Sequence, residues 1–262
     1  MYNLTDIGTI KDILGRHGFH FSKALGQNFI VNPSVCPRMA EESGIDENCG
    51  VIEIGAGIGV LTAELAKRAK KVVCVELDTR LLPILAETLA DFDNIEIINQ
   101  DVLKTDLAAL IKEKFEGMPV YVCANLPYYI TSPVIMTLLE SRLPIEAITV
   151  MVQKEAAQRL CAAVGSRLSG AVTVAVDYYA KAEKLFDVSA GSFMPAPKVD
   201  SCVIRPRRGT GDRRSGPEAA TQPPPSSPSP TARGEKSGEG PADRPRRADT
   251  FPGNTCPSSG TA

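Results

Sequence analysis

Five short apolar runs mark the first part of the chain, at residues 51–54, 72–76, 95–99, 120–124 and 147–152. They are rich in β-branched residues and bounded by polar or glycine-containing segments, which is the signature of strands. Between them apolar positions recur at helical spacing over 61–69, 80–89, 107–115 and 134–140. Strands alternating with helices predict a parallel sheet with helices on both faces. The strand runs are apolar throughout instead of alternating, as a sheet covered on both sides requires. Two later runs, 171–176 and 202–204, are expected to complete the sheet as a hairpin.

The pattern stops near residue 208. Residues 209–262 contain no Leu, Ile, Val, Met, Tyr or Trp, and they hold 10 of the 20 prolines. Such a segment cannot bury enough apolar surface to offset its ordering entropy, so it is expected to be disordered. The chain therefore divides into a folded domain, 1–208, and a Pro/Gly/Ser-rich tail, 209–262. The folded part carries 22 basic and 25 acidic side chains. Any nucleic-acid partner must then be met by local basic patches rather than by a global field.

Composition removes other classes. No apolar run approaches the roughly 18 residues that a membrane span needs. Residues 1–11 are polar and lack a signal core, so a cytoplasmic protein without membrane attachment is expected. Cys74, Cys123 and Cys202 lie inside apolar runs, where a reduced cysteine behaves as a small hydrophobe. The seven cysteines include no C-x-x-C pair, so neither a zinc site nor a redox motif is expected.

Candidate chemistry collects where the strands end. The first strand runs into E-I-G-A-G-I-G-V, residues 53–60, a G-x-G-x-G loop at the start of a helix. Glycines there let the backbone turn sharply and approach a ligand. A dinucleotide fingerprint would carry its third glycine at Val60, and no phosphate-binding Lys-Ser/Thr pair follows. The loop thus favours a nucleoside without a pyrophosphate, such as S-adenosylmethionine; a plain strand-to-helix turn is the alternative. Glu76 ends the second strand, 21 residues after Gly55, where a carboxylate can accept from a ribose diol. Asp101 ends the third and can accept from an adenine amino group, or cap a helix. With Gly55, Gly57 and Asn125, these tips place polar or permissive residues along one edge of the sheet.

The fourth strand ends in Asn125-Leu126-Pro127-Tyr128. The Asn125 amide oxygen and the Leu126 carbonyl can each accept one hydrogen bond from a single amino group. Pro127 fixes the turn and restrains Leu126 to an extended conformation. Tyr128 offers a face on which a base can stack, worth roughly 1–3 kcal/mol. A proline turn with a core tyrosine is the alternative. An exocyclic amine is a poor nucleophile, and two acceptors on its protons would turn its lone pair toward a methyl donor. Neither a metal nor a covalent intermediate is required.

N-L-P-Y together with E-I-G-A-G-I-G-V-L-T resembles the ribosomal RNA adenine dimethyltransferases, specifically those acting on two adjacent adenines near the end of small-subunit rRNA. F-S-K-A-L-G-Q-N-F-I, M-V-Q-K-E-A-A-Q-R-L and F-M-P-A-P-K-V-D-S are similar to further family segments, in the same order, over most of residues 10–205. The resemblance implies a Rossmann-like class I methyltransferase fold, with a seven-stranded sheet whose last strand is antiparallel. It implies S-adenosyl-L-methionine as methyl donor, held by Asn28, Ile30, Gly55, Gly57, Glu76, Asp101 and Asn125. It assigns the target adenine to Asn125, Leu126, Pro127 and Tyr128, with Phe193 as a second stacking ring; a loop Phe tucked into the core is the alternative for Phe193. Lys23, Lys198, Arg205, Arg207 and Arg208 are candidate phosphate contacts. The implied partner is the small ribosomal subunit, met by a monomer.

Two departures stand against the family pattern. Val164-Gly165 and Ser169-Gly170 replace the family's Pro-Gly and Tyr-Gly in a loop near the expected substrate side. The family's small helical domain after the last strand has no counterpart in residues 209–262, a segment expected to be a frameshifted or otherwise aberrant end. A ribosome-assembly binder that keeps the pocket without turnover is therefore an alternative. A DNA-adenine or protein-amide methyltransferase is disfavoured by Leu126, where those enzymes carry Pro.

Overall fold

The computed structural model describes residues 2–22 and 24–207. The chain enters through α1 (Ile7–Arg16), whose first turn is capped by Asp6: its carboxylate accepts the Thr9 N–H at 2.7 Å. Ile10, Ile13 and Leu14 share one buried face of that helix. A two-residue strand, β1 (Phe29–Ile30), leads to α2 (Val35–Glu42). Then β2 (Gly50–Ile54), α3 (Val60–Ala66), β3 (Lys71–Glu76), α4 (Leu82–Thr88) and β4 (Ile95–Asn99) follow in strict alternation. The second half continues with α5 (Leu107–Lys114), β5 (Val120–Asn125), α6 (Thr131–Glu140), β6 (Ile145–Gln153), α7 (Lys154–Leu160) and α8 (Ala171–Tyr179). It closes with β7 (Lys181–Val188), β8 (Phe193–Met194) and β9 (Ser201–Arg207).

Seven strands form one sheet in the order β4-β3-β2-β5-β6-β9-β7. β2 to β6 pair in parallel, and β9 pairs antiparallel to both β6 and β7. The last strand is thus the antiparallel one, as the family resemblance implies. Successive residues of a strand feed opposite faces, and here both faces are core. Val51, Val72, Cys74 and Cys123 pack with α1 to α4; Ile52, Val73, Val75 and Val122 pack with α5, α6, α7 and α8. That division explains why the strand sequences carry no polar alternation.

One expectation is overturned. Residues 171–176 are not a strand but the start of α8, and the partner of β9 is β7, over Lys181–Val188. The run A-V-T-V-A-V is β-branched and apolar, yet Val174 is 52% exposed while Val176 is buried, the one-sided burial of a surface helix. β7 was illegible because it is an edge strand: K-A-E-K-L-F-D-V buries only Phe186 and Val188. The expectations for Arg208 and the 209–262 tail lie outside the described residues.

Candidate active site

The chain lays down β2, β3 and β4 outward on one side and then returns to place β5 and β6 on the other. The crevice at such a switch point, beyond the carboxyl ends of the strands, is where open α/β sheets bind ligands. Here it falls between the tips of β2 and β5. A cleft partly open to solvent occupies it. Its floor is Ile54, Gly55 and Gly57; its sides are Glu76 and Leu77 on one hand and residues 125–130 on the other.

The glycine loop has the geometry the crevice needs. Gly55, Gly57 and Gly59 have φ of 77°, 61° and 91°, a region that side chains rarely adopt. The turn aims the Gly57 N–H at Glu76, whose Oε2 accepts it at 3.1 Å. The other carboxylate oxygen accepts the Asp78 N–H at 2.8 Å. Burial pushes the Glu76 carboxyl up, with the two backbone donors opposing the shift. Glu76 is therefore fixed as an acceptor at the wall of the cleft.

On the opposite wall, the Asn125 side chain donates through Nδ2 to the Asn28 carbonyl at 3.4 Å. Its Oδ1 has no partner among the described residues. Leu126 donates its N–H to the Met151 carbonyl at 3.2 Å and buries its side chain, while its own carbonyl lies outside the ladder. Pro127, at φ −55° and ψ 135°, turns the chain into a short 3-10 segment, Tyr128–Ile130, ahead of α6. Tyr128 lines the cleft, and its hydroxyl lies 3.1 Å from Ser201 Oγ, which ties the far end of the ring to β9. Asn125, Leu126 and a pinned aromatic ring thus line the cleft together with the glycine loop.

A small second sheet closes the top. β1 and β8 pair antiparallel with Phe29 opposite Met194 and Ile30 opposite Phe193. Asn28 and Phe193 both line the cleft. Phe193 is also 5% exposed and part of the core on the α1–α4 side, as the alternative of a Phe tucked into the core expects.

Two residues expected at the cofactor do not line this cleft. Ile30 is buried in the core behind the wall. Asp101 stands at the end of β4, where Oδ1 caps a 3-10 turn by accepting the Leu103 N–H at 3.0 Å and Oδ2 lies 3.8 Å from Lys104 Nζ. Of the proposed phosphate contacts, Lys23 and Arg208 lie outside the described residues. Arg205 is engaged elsewhere: its guanidinium donates to Glu183 Oε1 at 2.9 and 2.7 Å and to the Glu42 carbonyl. Arg207 pairs in register with Ala147, near the start of β6. Because β9 runs antiparallel, each step along it from Ser201 leads away from the cleft. Lys198 remains, exposed beside the site.

Sequence reasoning also passed over wall residues. Gln27 accepts the Ser22 N–H at 2.8 Å and donates to Asp78 Oδ2 at 2.7 Å, which fastens the 22–28 segment to the end of β3. Asp78 in turn holds Arg80 by paired contacts of 2.8 and 2.6 Å. Leu77, 48% exposed, gives the cleft an apolar side suited to a purine ring. Its signal was an apolar residue directly after a strand-end carboxylate. Among the described residues no group of three or more His, Cys, Asp or Glu side chains is placed to hold a metal, and no helix is long and apolar enough to cross a membrane.

The likeness to known proteins agrees with this geometry. The family described as ribosomal RNA adenine dimethylase matches residues 18–215. The ribosomal RNA small subunit methyltransferase A of Geobacillus thermodenitrificans is 54% identical over 199 residues, covering 76% of this chain and 68% of the relative. Its namesake from Bacillus licheniformis is 50% identical over 196 residues, covering 74% and 67%. A dimethyladenosine transferase from Plasmodium falciparum superposes with a TM-score of 0.61 at 31% identity, over 69% of this chain and 63% of that one. The 23S rRNA methyltransferase ErmE gives 0.59 at 33% identity, over 70% of each. The chain thus spans about two thirds of the curated relatives it matches. On the family match and these identities together, the chain belongs to the ribosomal RNA adenine dimethylase family.

Proposed function

We propose that the protein transfers methyl groups to the N6 amino groups of two adjacent adenines near the 3′ end of small-subunit (16S) rRNA. The product is N6,N6-dimethyladenine, made during ribosome biogenesis. The observation that carries this reading is that Asn125, Leu126 and a pinned Tyr128 line one cleft with the glycine loop, while Asn125 Oδ1 and the Leu126 carbonyl are unengaged among the described residues.

S-adenosylmethionine supplies an electrophilic methyl group. The cleft suits it: Gly55 and Gly57 let the backbone approach, Glu76 accepts from the ribose, Leu77 covers the purine, and the Asn28 region closes over it. Asp101 is the peripheral acceptor for the adenine amino group of that cofactor. The target adenine leaves its stack to enter, and Tyr128 and Phe193 flank it. Asn125 Oδ1 and the Leu126 carbonyl each accept a hydrogen bond from one N6–H, which would aim the nitrogen lone pair at the methyl group, with S-adenosylhomocysteine as the leaving group. The proton displaced by each transfer leaves through the open side. A dimethylated nitrogen has no proton left to donate, so both acceptors lose their partner and the product is released.

On this reading the protein acts in the cytoplasm as a monomer. Small subunits lacking the modification, incubated with the protein and labelled S-adenosylmethionine, are expected to gain N6,N6-dimethyladenine by mass spectrometry. Asn125→Ala is expected to lower the rate about 100-fold or more, as loss of a preorganised polar group at the reacting atom does. Cofactor binding without any transfer by the parent protein would instead favour an assembly factor that binds without turnover.

A further inference from the structure

Beyond Tyr128 the cleft continues into a second hollow. The two share Tyr128 and residues 26–28, but Asn125, Leu126 and Phe193 line only the first. The amine-holding acceptors therefore do not serve the second hollow. Its walls are instead Phe21, Pro195 and Pro197, with Gln153 and Lys198 as polar members. Phe21 is 37% exposed yet braced from behind, its ring 5.1 Å from that of Phe29 and 5.9 Å from that of Phe19. The Gln153 amide has no side-chain partner among the described residues, and Lys198 has no ion pair there. Flat apolar walls, an unengaged amide and one exposed cation together match a nucleotide: a base face, a base edge and a phosphate.

We propose that this hollow holds the nucleotide adjacent to the reacting adenine. Its base lies against Phe21 and the shared Tyr128 wall, Gln153 meets the base edge, and Lys198 meets the phosphate joining the two nucleotides. The inference rests on the proposed function and extends it. When one adenine is drawn out of the stack, its neighbour loses a stacking partner, and the hollow replaces it. With two adjacent targets and one strand polarity, one adenine occupies the second hollow while the other reacts, and when the roles exchange the hollow takes the next nucleotide on that side. Its proline and aromatic walls accept a dimethylated amine as readily as a free one, because they ask no proton of it.

The test uses the full chain with S-adenosylhomocysteine and a synthetic RNA hairpin carrying two adjacent adenines in its loop. Companion hairpins replace either adenine by an abasic nucleotide. Wild-type protein is expected to bind the abasic hairpins roughly tenfold more weakly. Gln153→Ala and Phe21→Leu are expected to weaken the intact hairpin and to cost little more on the abasic ones. Lys198→Ala is expected to lower the salt slope by about one for every hairpin. Since Phe21 braces an aromatic cluster, the Gln153 variant decides if the Phe21 variant loses its cofactor-induced rise in Tm. Losses that simply multiply, or abasic hairpins bound as tightly as intact ones, overturn the second hollow while methylation of small subunits still stands. Failure to bind or methylate any RNA overturns both readings together.

Discussion

At the scale of single residues, the site is a set of polar atoms held in one state each. Glu53 shows how strongly the fold enforces this away from the chemistry. It sits mid-strand in β2, 1% exposed, and its carboxylate is 3.2 Å from Cys74 Sγ. Burial pushes its carboxyl up to about 7, with the nearby Glu76 carboxylate adding to the shift. The folded value lies above the ordinary 4.5, so this group's contribution to stability is full below about pH 4.5 and is lost as pH rises through 7. Glu53→Gln removes that dependence. Urea unfolding at pH 5 and pH 8 should show the variant gaining on wild type by roughly 3 kcal/mol at the higher pH; equal gaps at the two pH values would refute the assignment. Nothing in V-I-E-I-G announces a buried acid, because the strand pattern cannot show which face α3 covers. The tips were more legible: Glu76 and Asn125 were identified from strand ends alone. Ile30 was placed at the cofactor by resemblance and Asp101 first by its strand tip; neither lines the cleft itself. Ile30, in β1, is buried in the core, and Asp101 caps the turn that follows it.

At the scale of elements, the glycine loop separates support from contact. Gly59 sits at the N-terminus of α3 with φ 91°, and a Cβ there would lie 2.9 Å from Leu89 Cδ2 and 3.3 Å from Thr88 Oγ1. That Thr88 hydroxyl already donates to the Ile58 carbonyl at 3.0 Å, so α4 cannot retreat without breaking its hold on the loop. Gly59→Ala should cost about 1–3 kcal/mol of stability, seen as a Tm several degrees lower. Gly55 meets nothing within 4 Å where its Cβ would be, and it lines the cleft. Gly55→Ala should therefore cost less stability and more cofactor affinity. Thermal unfolding with and without S-adenosylmethionine distinguishes the two; similar losses of both quantities in both variants would sink the division. The elements that sequence reading recovered, β2 to β6 with α3 to α6 between them, are those buried on periodic faces. The edge strand β7 and the half-exposed α8 were misread because their composition reports one face only.

At the scale of the whole molecule, a formal charge of −2 over 262 residues gives no general attraction for RNA. Among the described residues the cleft side offers few free cations: Arg205 is spent on Glu183 and Glu42, and Arg207 is carried to the far end of the sheet. Cofactor and RNA should then respond differently to salt. The cofactor meets glycine backbone, a single carboxylate and apolar walls in a partly enclosed crevice, where screening acts weakly. Binding to the folded state alone stabilises it by about 2.7 kcal/mol at a hundredfold excess of ligand over Kd, which for a domain of this size is several degrees in Tm. That rise should be nearly the same at about 50 mM and 200 mM salt. RNA affinity should fall over the same range, because each phosphate contact releases counterions, but with a shallow slope of a few contacts. Differential scanning fluorimetry with S-adenosylmethionine and anisotropy with the hairpin, run in the same two buffers, measure both. A cofactor shift that collapses with salt would mean charge, not the shape of the β2–β5 crevice, holds the methyl donor. An RNA slope as steep as that of a strongly basic protein would mean that cations other than Lys198 carry the RNA.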